Sequence, residues 1–201
     1  NQQKATLEER HGLSFELVAI VGSQLYWFDP NGIDSAQAND LFESEAIRHE
    51  NNIWIDQLGA IEGYDDVVIL DVTASHSLTE QYPNIAKQGI HLISANKVAG
   101  AAPTDFYQQV KESFSKVNRH WLYNATVGAG LPINHTVRDL RESGDTVVAL
   151  SGIFSGTLSW LFQQYDGTTP FAQLVELAWQ QGLTEPDPRN DLDGSDVMRK
   201  L

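Results

Sequence analysis

The chain has 201 residues, 41% of them hydrophobic, and 13 basic against 27 acidic side chains leave a net charge of −14. A surface that acidic repels phosphate backbones and argues against a nucleic-acid partner. The absence of cysteine excludes disulfides and thiolate metal sites and is compatible with a reducing cytoplasm. No apolar run approaches the roughly 20 residues of a membrane helix, so no membrane partner is expected. The chain opens on Asn1 rather than Met and shows no signal peptide, as expected of a piece of a longer protein.

Residues 4–12, "KATLEERHG", read as the tail of a helix closed by Gly12. "FELVAIV" (15–21) is an apolar run of strand type, and residues 35–49 read as helical, with Ala36, Leu41, Ala46 and Ile47 loosely periodic. "DVVILDV" (66–72) is a continuous β-branched run, the pattern of a strand buried on both faces. A helix follows with Leu78, Tyr82, Ile85 and Ala86 on one side. Pro83 either breaks it or opens its second part, and Gly89 closes it. "IHLISA" (90–95) is the next strand. "TDFYQQVKESFSKV" (104–117) places Phe106, Val110, Phe114 and Val117 on one helical face behind Thr104 as N-cap. "HWLYNA" (120–125) is a further strand.

This alternation predicts an α/β fold, a doubly wound parallel sheet of Rossmann type over residues 1–125. From residue 126 the pattern changes to a Gly-rich turn, a helix at 132–142, a strand "TVVALSGIF" (146–154) and helices near 157–165 and 171–181. Residues 126–201 are therefore expected to form part of a second, mixed α/β domain.

A dinucleotide fingerprint, G-x-G-x-x-G between a first strand and helix, is missing. "GAGLPI" has Gly128 and Gly130 but Ile133 at the third position, and it is read as a tight turn. After the strand ending at Val21, residues Gly22, Ser23, Gln24 and Leu25 offer neither a carboxylate for a ribose nor an arginine for a 2′-phosphate. "LDVTASHS" and "SANK" leave their strands at the carboxyl ends, where open α/β sheets bind ligands. There Thr73 and Ser75 can serve a ligand or merely cap the next helix, and Lys97 can serve a ligand or merely be solvated.

The closing stretch "GLTEPDPRNDLDGSDVMRKL" resembles a calcium loop only superficially. With Gly194 at the sixth position, positions one and twelve are Arg189 and Lys200, where carboxylates are required. If a helix follows Gly194 with Ser195 as N-cap, Asp196 and Lys200 stand at i and i+4 and can pair. Such a pair is either an ordinary surface ion pair or, with Glu185 stiffened between prolines, a device for holding an amino-acid zwitterion or passing a proton. No H-E-x-x-H, no G-x-S-x-G and no Walker lysine is present.

Taken in order, "DVTAS", "SANK", "YNATVGAGLPI", "GIFSGTLSWLF" and the closing stretch resemble homoserine dehydrogenase. The wording is closest to the second half of bacterial bifunctional aspartokinase–homoserine dehydrogenases of the methionine-pathway type, from about residue 13 to 201. The resemblance implies interconversion of L-homoserine and L-aspartate 4-semialdehyde with NADPH or NADH, in a cytoplasmic homo-oligomer, a dimer or tetramer. It implies that Thr73, Ala74, Ser75 and Asn96 line the nicotinamide side and that Lys97 lies between cofactor and substrate. Gly156 and Thr157 would touch the substrate, Glu185 would hold its amino group, and Asp196 would bind it and fix Lys200. Lys200 would be the general acid/base, with Lys97 the second candidate. The turn from Asn124 would hold a monovalent cation such as sodium through carbonyls of Val127, Ala129 and Leu131; some members have a carboxylate where this chain has Asn124.

The family's pyrophosphate loop would precede Asn1, which leads us to expect a piece weakened in cofactor binding. The missing arginine after the second strand argues against a simple NADPH preference. A module of another class, non-catalytic and concerned with dimerisation or regulation, is the alternative that activity measurements on the parent protein distinguish.

Overall fold

The computed structural model describes residues 3–49 and 52–201. The chain divides into two compact units, Asn1–Val67 and Val68–Leu201.

In the first unit, α1 (Lys4–His11) ends as expected on Gly12, which takes the left-handed conformation at φ 64°. β1 (Ala19–Val21) and β2 (Leu25–Phe28) form an antiparallel hairpin closed by the Gly22 amide donating to the Leu25 carbonyl at 2.7 Å. After α2 (Ala38–Glu45), the backbone extends at Ala46, and β3 (Ile47–Arg48) pairs with β2. α3 (Ile53–Gly59) supplies buried Trp54, Ile55 and Leu58.

Two expectations are corrected here. The strand expected over 15–21 has three residues and belongs to an antiparallel sheet, not to the parallel one. Its neighbour "LYWF" lies one short turn away, and a hairpin closes a much smaller loop than a crossover does. The helix expected over 35–49 stops at Glu45 because Ile47 and Arg48 pair with Tyr26 and Leu25.

The second unit holds the parallel sheet, in the order β4 (Val68–Asp71), β5 (His91–Ser94), β6 (Trp121–Leu122). Between β4 and β5 lie α4 (His76–Thr79) and α5 (Tyr82–Lys87), and Pro83 stands in the first turn of α5. α6 (Thr104–Lys116) joins β5 to β6 and packs on α5. Tyr82, Ile85, Leu92, Val110 and Phe114 are buried in this unit. Pro103, extended at ψ 143°, is the N-cap of α6 in place of Thr104, and Val117 falls past the helix end, 39% exposed. β4 is not buried on both faces. Val68, Leu70 and Val72 alternate outward, with Leu70 66% exposed, while Asp71 points inward. β6 is shorter than "HWLYNA" because a 3-10 turn begins at Asn124.

Beyond it lie α7 (Ile133–Glu142), α8 (Gly156–Gln164) and α9 (Phe171–Gln180). Leu161, Leu174 and Ala178 join α8 and α9, packed by Leu158, Trp160, Phe171 and Val175. Fully buried Leu161 contributes roughly 2 kcal/mol by leaving water. Two short helices, α10 (Arg189–Leu192) and α11 (Ser195–Met198), pack on each other, and α10 also packs on α8. Gly194, left-handed at φ 81°, is the N-cap of α11 rather than Ser195. The strand expected over 146–154 is not formed. Those residues have no ladder partner among the described residues, and Val148 is 93% exposed.

Candidate functional site

β4 and β5 lie in parallel register, so Asp71 and Ser94 end side by side and both following loops leave from one edge. Asp71 ties those loops together. Its Oδ1 accepts from the Thr73 amide at 2.9 Å and the Thr73 hydroxyl at 2.7 Å. Its Oδ2 accepts from the Tyr82 hydroxyl at 2.7 Å and from Asn96 Nδ2 at 3.1 Å. Burial first, then the Asp71 hydrogen bond, pushes the Tyr82 phenol well above its ordinary value, so Tyr82 stays a donor.

Asn96 is buried, and its amide also donates to the Ser75 carbonyl and the Thr79 hydroxyl, while its Oδ1 accepts from the Val98 amide at 3.0 Å. The polar atoms of Asn96 are thus engaged within the protein. Ser75 caps α4, its Oγ accepting from the Leu78 amide at 3.1 Å, which was one of its two possible readings. Thr73 and Ala74 are exposed at the mouth. Lys97 is not merely solvated.

Lys97 Nζ donates to Glu185 Oε1 at 2.9 Å and lies 3.7 Å from Asp196 Oδ1. Lys200 Nζ donates to Asp196 Oδ2 at 2.5 Å and to the Phe154 carbonyl at 2.8 Å. Lys200 lies two residues past α11, and the turn that continues the helix brings it to Asp196 at i,i+4 spacing. Both lysines and Glu185 are largely enclosed, and Asp196 is buried. The outer oxygen of Asp196, Oδ1, is buried and accepts no hydrogen bond among the described residues.

Asp191 is the residue that sequence reasoning missed. It is buried, its Oδ2 accepts from the Glu185 amide at 2.8 Å, and its Oδ1 lies 2.7 Å from the Thr157 hydroxyl. It therefore joins the Glu185 turn to the start of α8. In the sequence it stands among exposed charges, with no periodic signal for burial. Thr157 is buried and also donates to the Leu183 carbonyl at 2.6 Å. Gly156 opens α8 behind the Ser155 cap and faces open space.

Asn124, Val127, Ala129 and Leu131 lie in the turn before α7. Gly128 and Ala129 both have positive φ, 75° and 50°. A Cβ at Gly128 would come within 2.8 Å of the Ile133 side chain, so the turn needs glycine there. No hydrogen bond reaches the Val127 and Ala129 carbonyls among the described residues. The Leu131 carbonyl accepts from the Ile133 amide at 2.9 Å and, at 3.4 Å, from Asn124 Nδ2. Of the three carbonyls, that of Leu131 is thus already engaged.

A family model described as "Homoserine dehydrogenase, NAD binding domain" matches residues 2–124, and one described as "Homoserine dehydrogenase" matches residues 132–201. The chain belongs to the homoserine dehydrogenase family. It is 54% identical over 203 residues to bifunctional aspartokinase/homoserine dehydrogenase 2 of Escherichia coli (strain K12), covering 100% of this chain and 25% of that protein. The chain thus spans about a quarter of that relative's length. Among solved structures, a homoserine dehydrogenase from Thermoplasma acidophilum superposes with a TM-score of 0.75 at 22% identity, covering 99% of this chain and 61% of that one. A hyperthermophilic archaeal homoserine dehydrogenase in complex with NADPH gives 0.71 at 17% identity, covering 98% and 62%. Both share the α/β fold, Rossmann-type with a second domain. The chain has no helix, among its described residues, long and apolar enough to cross a membrane.

Proposed function

We propose that the protein containing this chain interconverts L-homoserine and L-aspartate 4-semialdehyde with NADPH or NADH, in the biosynthesis of methionine and threonine. The observation that carries this reading is the buried Oδ1 of Asp196, without a hydrogen bond among the described residues and 3.7 Å from Lys97, which pairs with a second carboxylate at Glu185, while Lys200 holds Oδ2. A zwitterionic amino acid brings an ammonium group, and Glu185 is the carboxylate held ready for it. Residues 1–125 serve the nucleotide and residues 126–201 the substrate, a division supported by the spans of the two family models.

When bound, the nicotinamide supplies or accepts the hydride. The loops at Thr73–Ser75 and Asn96–Lys97 fit that end of the cofactor: Thr73 and Ala74 are exposed and Lys97 is partly so, while Asn96 contributes rigidity rather than a free amide. As the aldehyde is reduced, negative charge grows on its oxygen. Lys200, oriented by Asp196 and the Phe154 carbonyl, stabilises that charge and delivers the proton from Nζ. In the reverse direction it receives the hydroxyl proton. Lys97 adds a second positive charge beside the same carboxylate. The carbonyls of Val127 and Ala129 would hold a monovalent cation such as sodium, with the Leu131 carbonyl offering its second lone pair, beside the Ile133 amide, once the Asn124 amide lets go. The working protein is a cytoplasmic homo-oligomer.

Steady-state oxidation of NADPH by aspartate 4-semialdehyde, with the full-length protein and its Lys200→Ala variant, tests this reading. The variant is expected to lose on the order of 10²–10⁴ in kcat, the usual contribution of a positioned acid/base. Retention of kcat within about tenfold would assign the proton to another group.

A further inference from the structure

The ion pair between Lys97 and Glu185 occupies the carboxylate assigned above to the substrate's amino group, and the inference that follows rests on that assignment. We propose that Lys97 guards Glu185 before substrate binds and is displaced onto Asp196 Oδ1 by the incoming ammonium, so that recognition of the amino group moves Lys97 to the reacting end.

Three features support this exchange. First, Lys97 and the incoming ammonium compete for one poorly solvated carboxylate, and their mutual repulsion favours the arrangement in which Lys97 moves to the oxygen that holds no hydrogen bond. Second, an acceptor is waiting. Asp196 Oδ1 is buried, free of hydrogen bonds among the described residues, and 3.7 Å from Lys97 Nζ. Less than about 1 Å of travel brings that contact to hydrogen-bond length. Third, the neighbours decide which partner moves. The Glu185 backbone is held by Asp191 Oδ2 at 2.8 Å, and the backbone after Asn96 is held by its own Oδ1 on the Val98 amide. The side chains remain free to shift, and that of Lys97 is the longer of the two.

Specificity for an α-amino acid is then expressed in kcat as well as in KM. A substrate without the amino group, 4-hydroxybutanoate, leaves Lys97 on Glu185 and Asp196 Oδ1 unpaired.

The test is NADP-dependent oxidation of L-homoserine and of 4-hydroxybutanoate by the full-length protein and its Glu185→Gln variant. In the variant the KM for homoserine is expected to rise about tenfold or more, while kcat for 4-hydroxybutanoate rises by about tenfold because Lys97 is released. If kcat for 4-hydroxybutanoate stays at or below the unsubstituted value, the exchange is overturned, while the KM rise for homoserine still supports Glu185 as the amino-group holder. An unchanged KM for homoserine overturns that underlying assignment instead. A second measurement needs no variant. Methylammonium added to the unsubstituted protein supplies the missing cation and is expected to raise kcat with 4-hydroxybutanoate but not with homoserine; no rise overturns the exchange.

Discussion

Asp71 and Asp196 are both buried to within 2% exposure, and they are satisfied in opposite ways. Asp71 accepts four hydrogen bonds, all from uncharged donors in its own loops and helix. Neither oxygen of that carboxylate is left for a ligand. Asp196 pairs one oxygen with Lys200 and leaves the other without a donor. The first arrangement makes a rigid rim at the carboxyl ends of β4 and β5. The second is an incomplete cluster of charges, and an incomplete buried cluster marks a binding or catalytic site more than a closed one does.

This contrast is open to direct attack. The largest expected stability effect is at Asp71. Replacing it by alanine strands the Tyr82 hydroxyl and the Thr73 amide and removes one of three acceptors for the Asn96 amide. Urea unfolding should show a loss of about 3 kcal/mol or more. In the same assay Asp196→Asn should cost less than Asp71→Ala, because the asparagine keeps an oxygen acceptor for Lys200 Nζ, while turnover falls. Equal losses at the two positions would erase the distinction.

A smaller effect is expected at Tyr82. Tyr82→Phe removes one hydrogen bond, at a cost of about 1 kcal/mol near neutrality. The sign of its pH dependence follows from the raised phenol. The fold favours protonated Tyr82, so its contribution is fully present below the ordinary tyrosine value of about 10 and falls as pH rises above it. Native unfolding midpoints should therefore drop from about pH 9 to 11 more steeply than those of Tyr82→Phe.

The smallest effect is at the exposed rim of the closing stretch. Arg189 grips Asp187 in a fork, with Nη2 2.6 Å from Oδ2, and holds its carboxyl down to about 2. Arg189→Ala should let that carboxyl return toward its ordinary value of about 4 in an NMR titration, with no measurable change in stability. A large loss there would make the Asp187–Arg189 turn part of the support of Glu185.

One part of the candidate site was legible from local spacing: Asp196 and Lys200 stand at i and i+4 and pair. Glu185, Lys97 and Thr157 were named through the resemblance, since they lie far apart along the chain. Asp191 was not legible. A carboxylate among carboxylates looks solvated until Thr157 and the Glu185 amide, from other parts of the chain, close around it. Asn96 was expected to line the nicotinamide side, and the sequence did not show that its amide donates to Asp71, Ser75 and Thr79. An asparagine at a strand end carries no mark of which acceptors will reach it.

The sequence by itself determined the features that depend on a residue's own backbone or on one turn of helix. Gly12 and Gly89 end their helices because they adopt positive φ, Pro83 opens α5, and strands alternate with helices from residue 68 to 122. Tertiary structure alone decided what depends on a distant partner. It put residues 19–21 in an antiparallel hairpin and left 146–154 without a ladder, although both runs read as strands. It also joined Lys97 to Glu185 across 88 positions. A strand and a buried ion pair are each stabilised by what lies opposite them, and the residue types of one segment do not specify that partner.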